Sequence, residues 1–341
     1  MLRLMPARVT IRPSGREFQV EGKETLLQAA LRAGLLPAYG CGSGICGECK
    51  ARLVSGEVRQ TQHIDYPLSE AEKAENYMLM CSHTAVTDVV IEALEADSPA
   101  DIPAQQLVGK VRSVARLDAQ TMLLHIRTQR SQRLRFFAGQ RATLGIADGT
   151  AACSGEYPIA SCPCDEHNLL FHIPCGGDGD EFSRRLFGGA IRPGDPIEVR
   201  GPRGTFVLKK DSSRAILFAC CDTGFAPINS LVEHALSVDA AGSITLCWAV
   251  TRAGGHYAGN LCRAWTDALD DFHYLPCVAA VAAEADAGTR AATALLAAVA
   301  GLPDLAARDV YVAGPETFVG AVMTALQQAG IPAEQLAATV I

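Results

Sequence analysis

The sequence predicts a multidomain chain of mixed class, α+β followed by α/β, and three observations carry this. Cys41, Cys46, Cys49 and Cys81 fall in a stretch of alternating strand and helix signals that ends near residue 95. Short strand-like runs at even spacing fill Leu107 to Leu208. From Ser213 onward, apolar strands alternate with helices. The division that follows is 1–95, a linker 96–106, then 107–210 and 211–341.

In the first unit, VTIRPSGREFQV is two alternating runs around Ser14-Gly15, a hairpin signal. Thr25 caps a helix, LLQAALRAG, that stops at Gly34. A strand is expected at Lys50 to Val54, a short helix after the capping box SEAE at Ser69 to Glu72, and a strand VVIEAL at Val89 to Leu94. ADSPADIPAQQ, Ala96 to Gln106, has two prolines and no apolar periodicity, and reads as the linker. The runs LVGKVRSVA, TMLLHIRT, QRATLGI, NLLFHIP and DPIEVRG then form an antiparallel barrel, interrupted by the helix EFSRRLF at Glu181 to Phe187. Four strand-helix pairs complete the chain, beginning with RAILFACC and FAPINSLVEHAL and ending with DVYVAGP and ETFVGAVMTALQQAG. Such a series builds a parallel sheet covered by helices on both faces.

Composition limits function. With 49% hydrophobic and 20% charged residues in 341, the chain buries ample cores for two or three domains. A net charge of −7 without long basic blocks excludes nucleic acid as a partner. The N-terminal MLRLMPARVT is broken by Pro6, and no long apolar run follows, so neither export nor membrane insertion is expected and the location is read as cytoplasmic. Thirteen cysteines in such a chain argue for reduced thiols with metal or redox roles, not a disulfide scaffold.

Three readings then remain for YGCGSGICGECK, Tyr39 to Lys50: a metal site, a redox CxxC pair, or inert thiols. Spacing decides. Cys41, Cys46 and Cys49 form C-x4-C-x2-C, and Cys81 in YMLMCSH completes the plant-type [2Fe-2S] pattern of four thiolates on two irons. Structural zinc would show two close pairs. Gly40, Gly42, Gly44 and Gly47 let the loop wrap a cluster with backbone N–H groups toward the sulfurs.

These residues, with the order of elements around them, resemble the β-grasp fold of plant-type ferredoxins. Across its whole length the chain resembles such a domain fused ahead of a ferredoxin-NADP reductase-like module, as in oxygenase reductase components and reductases similar to CDP-6-deoxy-glucoseen reductase. The resemblance implies a flavin-type barrel, a nucleotide-binding domain, FAD and NAD(P)H as cofactors, and a redox partner protein that is an oxygenase or dehydrase component. Nicotinamide moves two electrons and a [2Fe-2S] centre moves one, so a carrier able to do both belongs between them.

The same resemblance assigns site residues. Tyr157 would stack on the flavin ring, the Ile159, Ala160 and Ser161 backbone would bond its edge, and Ser183 would meet its phosphates near Gly176-Gly177. Thr223 and Gly224 would form the dinucleotide turn, with Gly314 and Pro315 near the nicotinamide. Four departures stand out: Gly155 occupies the position of a phosphate-binding arginine, Asp222 that of a glycine, Ala313 that of a cysteine, and the chain ends ATVI without an aromatic residue. Glu156, Asp178, Asp180 and Glu181 place negative charge near expected phosphates, which Arg141 or Arg184 would have to offset.

Other candidates read more plainly. Cys162 and Cys164 form CPC, with Cys153 and Cys175 nearby, and are expected as buried thiols, not a second metal site. Cys220 and Cys221 pack on a strand, although Cys221 at a helix start invites a lowered pKa. His83, two residues after Cys81, is either a hydrogen-bond partner of the cluster or a surface residue. Thr251-Arg252 is either a contact for a 2′-phosphate or a solvated loop. Two functions follow: a reductase passing electrons from NAD(P)H through FAD to the cluster and on to its partner, or an iron-sulfur docking protein whose reductase half has weakened cofactor binding.

Overall fold

The computed structural model describes residues 6–129, 132–146, 153–164, 167–176, 180–210, 212–280 and 285–341. Its first unit contains β1 (Ala7–Arg12), β2 (Glu17–Val20), α1 (Leu26–Arg32), β3 (Lys50–Ser55), β4 (Val58–Gln60), α2 (Glu70–Ala74), β5 (Tyr77–Leu79), β6 (His83–Ala85) and β7 (Val89–Glu92). The main sheet runs β2-β1-β7-β3-β5, with β1 and β7 parallel, and β4 pairs with β6 apart from it. Both expected capping boxes form, Thr25 with Gln28 and Ser69 with Glu72. Leu26, Leu27 and Ala30 on α1 bury against Val9, Ile11 and Ile91 of the sheet. The last strand ends earlier than its apolar run, and the Leu94 carbonyl pairs outside the sheet, accepting from Ala38 N–H at 2.7 Å. Ala96 and Ile102 are buried in this same core, so the segment read as a linker packs along its first half.

The second unit comprises β8 (Gln105–Asp118), β9 (Thr121–Arg127), β10 (Arg141–Ile146), β11 (Ser154–Pro158), β12 (Asn168–Pro174), α3 (Glu181–Phe187) and β13 (Pro196–Arg203). These strands make a curled antiparallel sheet, β11-β10-β13-β8-β9-β12. Its two edges approach where Ala160 N–H donates to Leu170 C=O at 2.7 Å. Strand β11, SGEYP, is too rich in Gly and Pro to have announced itself.

The third unit alternates β14 (Ile216–Cys221), α4 (Phe225–Ser237), β15 (Ile244–Val250), α5 (Gly259–Ala268), β16 (Phe272–Val278), α6 (Ala287–Val299), β17 (Asp309–Gly314), α7 (Glu316–Gln328) and β18 (Leu336–Val340). The sheet is parallel throughout, ordered β16-β15-β14-β17-β18. Every residue of β14, β15 and β17 is buried, as a sheet covered on both faces requires. All of the terminal ATVI but Ile341 belongs to β18, a fifth strand hidden by its alanines. No helix among the described residues is long and apolar enough to cross a membrane.

Candidate iron-sulfur and cofactor sites

The loop from α1 to β3 carries Cys41, Cys46 and Cys49, and the turn after β5 brings Cys81 to them. Their contacts fall into pairs. Cys41 N–H donates to Cys46 Sγ at 3.3 Å and Cys46 N–H to Cys41 Sγ at 3.4 Å. The Cys49 thiol donates to Cys81. Two pairs of thiols suit two irons, each with two cysteine ligands.

Electrostatics favour the thiolate at Cys41 and Cys81, while burial raises the Cys46 thiol. Burial alone would raise the Cys41 thiol, but N–H groups of Ser43, Cys46 and Ile45 aim at its sulfur and bring it down to about 7. The Cys49 thiol, by donating to it, draws Cys81 down to about 6 against its burial, and Ser82 helps. In the same exchange Cys49 is pushed up, as the partner that keeps the proton. Gly47 shows why the loop needs glycine: its φ is +77°, and a Cβ there would lie 2.4 Å from the Tyr66 ring. His83 does not reach a sulfur; its Nδ1 pairs with Leu79 C=O at 3.0 Å.

The cluster loop rests on the barrel. Arg133 N–H donates to Gly40 C=O at 3.0 Å, and the guanidinium groups of Arg133 and Arg135 lie 5.1 and 5.6 Å from the Tyr39 ring centre. Sequence reading passed over both arginines, because nothing in RLRFF distinguishes them from ordinary loop residues.

Tyr157 lies on β11, buried, with its hydroxyl 2.7 Å from each carboxylate oxygen of Asp180. Asp180 also caps α3 by accepting from Ser183 N–H at 2.9 Å. Ser183 Oγ donates to Pro174 C=O and accepts from Gly176 N–H. The amides of Ile159 and Ala160 already bond Gln140 and Leu170, and the Ala160 and Ser161 carbonyls accept from Asn229 and Ser230 of α4. Gly177 and Asp178 lie outside the described residues. Glu156 points to the other face, where Arg141 holds it at 3.2 Å and Arg203 at 3.8 Å. Arg141 is further bound to Thr339 and to the Val340 carbonyl, and Arg184 to Glu181. Neither arginine therefore turns toward Ser183. Tyr157 packs in the barrel core with its ring 5.7 Å from that of Phe182, and the start of α3 offers a diphosphate a carboxylate instead of a cation.

At the third unit, Asp222 to Gly224 make a tight turn into α4. A Cβ on Gly224 would come 2.2 Å from the Ala313 carbonyl, so glycine here lets β17 and the turn close on each other. Asp222 holds φ +48°, a conformation natural to glycine, and its carboxylate is satisfied by Thr251 N–H at 3.0 Å and Thr251 Oγ1 at 2.7 Å. Arg252 reaches across to Asp118 of the barrel. Thr251 and Arg252 are thus engaged within the protein while only half-buried, and Arg252 also lines the cleft that follows. A cleft of about 150 Å³ lies between Thr223, Pro315, Tyr257 and Cys175. Gly314 stands behind it against Cys221 and Phe318.

Two thiol expectations are corrected. Burial, with the Asp222 carboxylate, raises the Cys221 thiol, so its place before a helix does not activate it. Cys162 and Cys164 are joined in a disulfide: Pro163 folds the chain back so that their Cα atoms lie 5.2 Å apart. The other eleven cysteines are free.

Known proteins share both ends of this architecture. Residues 9–86 match the 2Fe-2S iron-sulfur cluster binding domain, and residues 218–324 the oxidoreductase NAD-binding domain. The reductase component of phenol 2-monooxygenase from Pseudomonas sp. (strain CF600) is 30% identical over 277 residues, 80% of this chain and 76% of its own. The CDP-6-deoxy-L-threo-D-glycero-4-hexulose-3-dehydrase reductase of Yersinia pestis is 28% identical over 319 residues, 93% of each chain. Among solved structures, the ferredoxin reductase in carbazole 1,9a-dioxygenase shares the fold, with a TM-score of 0.59 over 98% of both chains at 21% identity.

Proposed function

Because the chain belongs to the family of reductases that join a [2Fe-2S] ferredoxin domain to an oxidoreductase NAD-binding domain, we propose that it is an NAD(P)H-dependent electron-transfer reductase serving a partner oxygenase or dehydrase component. The observation that carries this reading is the paired thiol cage docked against the barrel at Arg133 and Gly40, which joins the cluster to the reductase half. FAD, when bound, supplies the exchange between a two-electron donor and a one-electron acceptor.

The chain's own residues divide the work. Cys41, Cys46, Cys49 and Cys81 hold the cluster, and the amides of Ser43 and Ile45 bear on its sulfur ligands, lowering the cost of their negative charge. Arg133 and Arg135 fix the loop by clamping Tyr39, so the cluster keeps one distance from the barrel. Tyr157 and the Ile159 to Ser161 backbone would line the flavin side of the barrel, with α4 bracing that backbone through Asn229 and Ser230. Thr223, Gly224, Gly314 and Pro315 would form the nicotinamide end. We place the activity in the cytoplasm, where eleven free cysteines stay reduced.

The test is the visible spectrum of anaerobically purified protein before and after NADH or NADPH. The expected result is a [2Fe-2S] spectrum that bleaches on nucleotide addition once FAD is supplied. A cluster that dithionite bleaches but neither nucleotide does, even with FAD, would favour the second reading. That reading is an iron-sulfur docking protein whose reductase half has weakened cofactor binding, and Asp180 at the start of α3 is the observation on its side.

A further inference from the structure

The Cys162–Cys164 disulfide is the one bond of its kind among the described residues, beside eleven free cysteines of which Cys175 is exposed. A structural staple explains it poorly. It closes a loop of minimal length, where cross-linking restricts the unfolded chain least. That loop is already pinned to α4 by Cys162 N–H to Glu233 at 3.0 Å and by Ser230 to the Ser161 carbonyl at 2.7 Å. In the reducing cytoplasm proposed above, disulfides are the transient kind that reports or exchanges redox state.

The two sulfurs are unequal. Cys162 is buried, and its Sγ accepts from Cys164 N–H at 3.3 Å and lies 3.9 Å from His234 Nδ1. The Cys164 amide hydrogen bond stabilises negative charge on Cys162 as it departs. Burial pushes His234 down to about 4, so near neutral pH it is an uncharged imidazole able to pass a proton. Cys164 instead lines a groove of about 440 Å³ with Leu31, Arg32, Arg133 and Ser237, where the first unit meets the barrel and α4.

We propose that Cys162–Cys164 is a thiol–disulfide exchange site for a low-molecular-weight thiol, entered at Cys164, with Cys162 as leaving group. A thiolate in the groove attacks Cys164 Sγ. The new S–S bond joins it to Cys164, the old bond breaks, and its electron pair stays on Cys162, which takes up the proton the incoming thiol gave up, with His234 as relay. A second thiol attacks the bound one, releases it as its own disulfide, and leaves Cys164 as a thiol. In total, two thiols are oxidised and one protein disulfide is reduced. The site follows directly on Ile159 to Ser161, so its state acts on the backbone assigned to the flavin edge. The exchange itself needs neither flavin nor nicotinamide, and stands apart from the reductase reading.

The experiment equilibrates the full-length protein, under argon, in glutathione buffers of graded reduced-to-oxidised ratio. N-ethylmaleimide then blocks free thiols, and peptide mass mapping reads each cysteine. The expected result is a Cys162–Cys164 disulfide whose fraction follows the ratio while circular dichroism stays native. Cys162→Ser should accumulate a glutathione adduct on Cys164, whereas Cys164→Ser should leave Cys162 largely unmodified. Both cysteines alkylated at every ratio, or a disulfide that no ratio opens in the folded protein, would overturn the proposal. So would adducts that prefer Cys162. The titration of the unsubstituted protein decides the matter even if one variant fails to fold.

Discussion

The hydroxyl of Tyr157 donates to the carboxylate of Asp180, 2.7 Å from both oxygens, across the start of α3. One bond thus ties the residue expected to carry a flavin ring to a negative charge where flavin phosphates are expected. Burial and this carboxylate push the Tyr157 phenol well up, so it remains a donor at any physiological pH.

Asp180→Asn is therefore expected to tighten flavin binding while sparing the fold. Asparagine caps a helix as well as aspartate does, and the charge next to the phosphates is gone. Removing an unfavourable 1–2 kcal/mol should strengthen FAD binding about fivefold to thirtyfold. Gly155→Arg alone should gain less, because its Cβ would lie 2.3 Å from the Tyr157 hydroxyl and displace it. The check is flavin bound per chain after equilibrium dialysis for the parent, both single variants and the double. A double variant no better than Gly155→Arg alone would remove Asp180 from the explanation.

Gly47→Ala should damage the cluster without touching a ligand. A left-handed conformation costs alanine about 1–2 kcal/mol, and its Cβ would press into Tyr66. The expected result is a cluster lost faster at moderate temperature, with iron and sulfide content below that of the parent. Alanine at Cys41, Cys46, Cys49 or Cys81 should abolish the cluster outright. Equal cluster lifetimes for Gly47→Ala and parent would show that the loop yields at no cost.

How much of this was legible in the sequence follows from range. Ligand spacing at Cys41, Cys46 and Cys49 is a local property, and so are the capping boxes at Thr25 and Ser69; all could be read directly. The fold class was legible because period-2 and period-3.6 patterns report burial. The partners of charged residues were not. Arg141 ends on Thr339 and Val340, 198 and 199 positions away, and Arg252 on Asp118, 134 positions away. No local pattern predicts such pairings, since each needs the packing of two domains. The Cys162–Cys164 bond was missed for a different reason: the absence of an export signal argued against any disulfide, while Pro163 makes the short closure sterically easy.

Acid should destabilise the folded chain through His172. This imidazole is buried, stacked at 6.1 Å from Phe225, with Nδ1 3.2 Å from the Tyr257 hydroxyl, and burial lowers it to about 4. Unfolded, it takes a proton near 6.5. Between those values the unfolded chain holds more protons, so stability rises with pH. The contribution is complete above about pH 6.5 and is lost progressively down to about 4, where the loss amounts to roughly 3 kcal/mol. Urea midpoints at pH 7.5, 6 and 5 should fall in that order, with a shallower fall in His172→Gln. Identical slopes in the two proteins would assign the effect elsewhere, for instance to His234, which burial lowers in the same direction.

Asp222→Gly should improve nicotinamide nucleotide binding with little change in stability, because two effects oppose each other. Asp222 adopts φ +48°, which costs a residue bearing a side chain about 1 kcal/mol that glycine does not pay. Against this, the substitution removes two bonds to Thr251, each worth about 0.5–1.5 kcal/mol net. Thr251 N–H and Oγ1 would then face water or ligand, so the loss is partly recovered by solvation. The balance predicts a net destabilisation of no more than about 1–2 kcal/mol. For the nucleotide both changes help: a negative charge leaves the turn into α4, and two donors become available beside it. The expected outcome is a dissociation constant for NADH or NADPH lowered about fivefold to tenfold, measured by nucleotide fluorescence in cluster-loaded protein. Since charge removal weakens as salt screens it, the gain should shrink between low and high ionic strength. A gain independent of salt would point to the freed Thr251 donors instead of the lost charge, and no gain at all would show that Asp222 lies outside the nucleotide's reach.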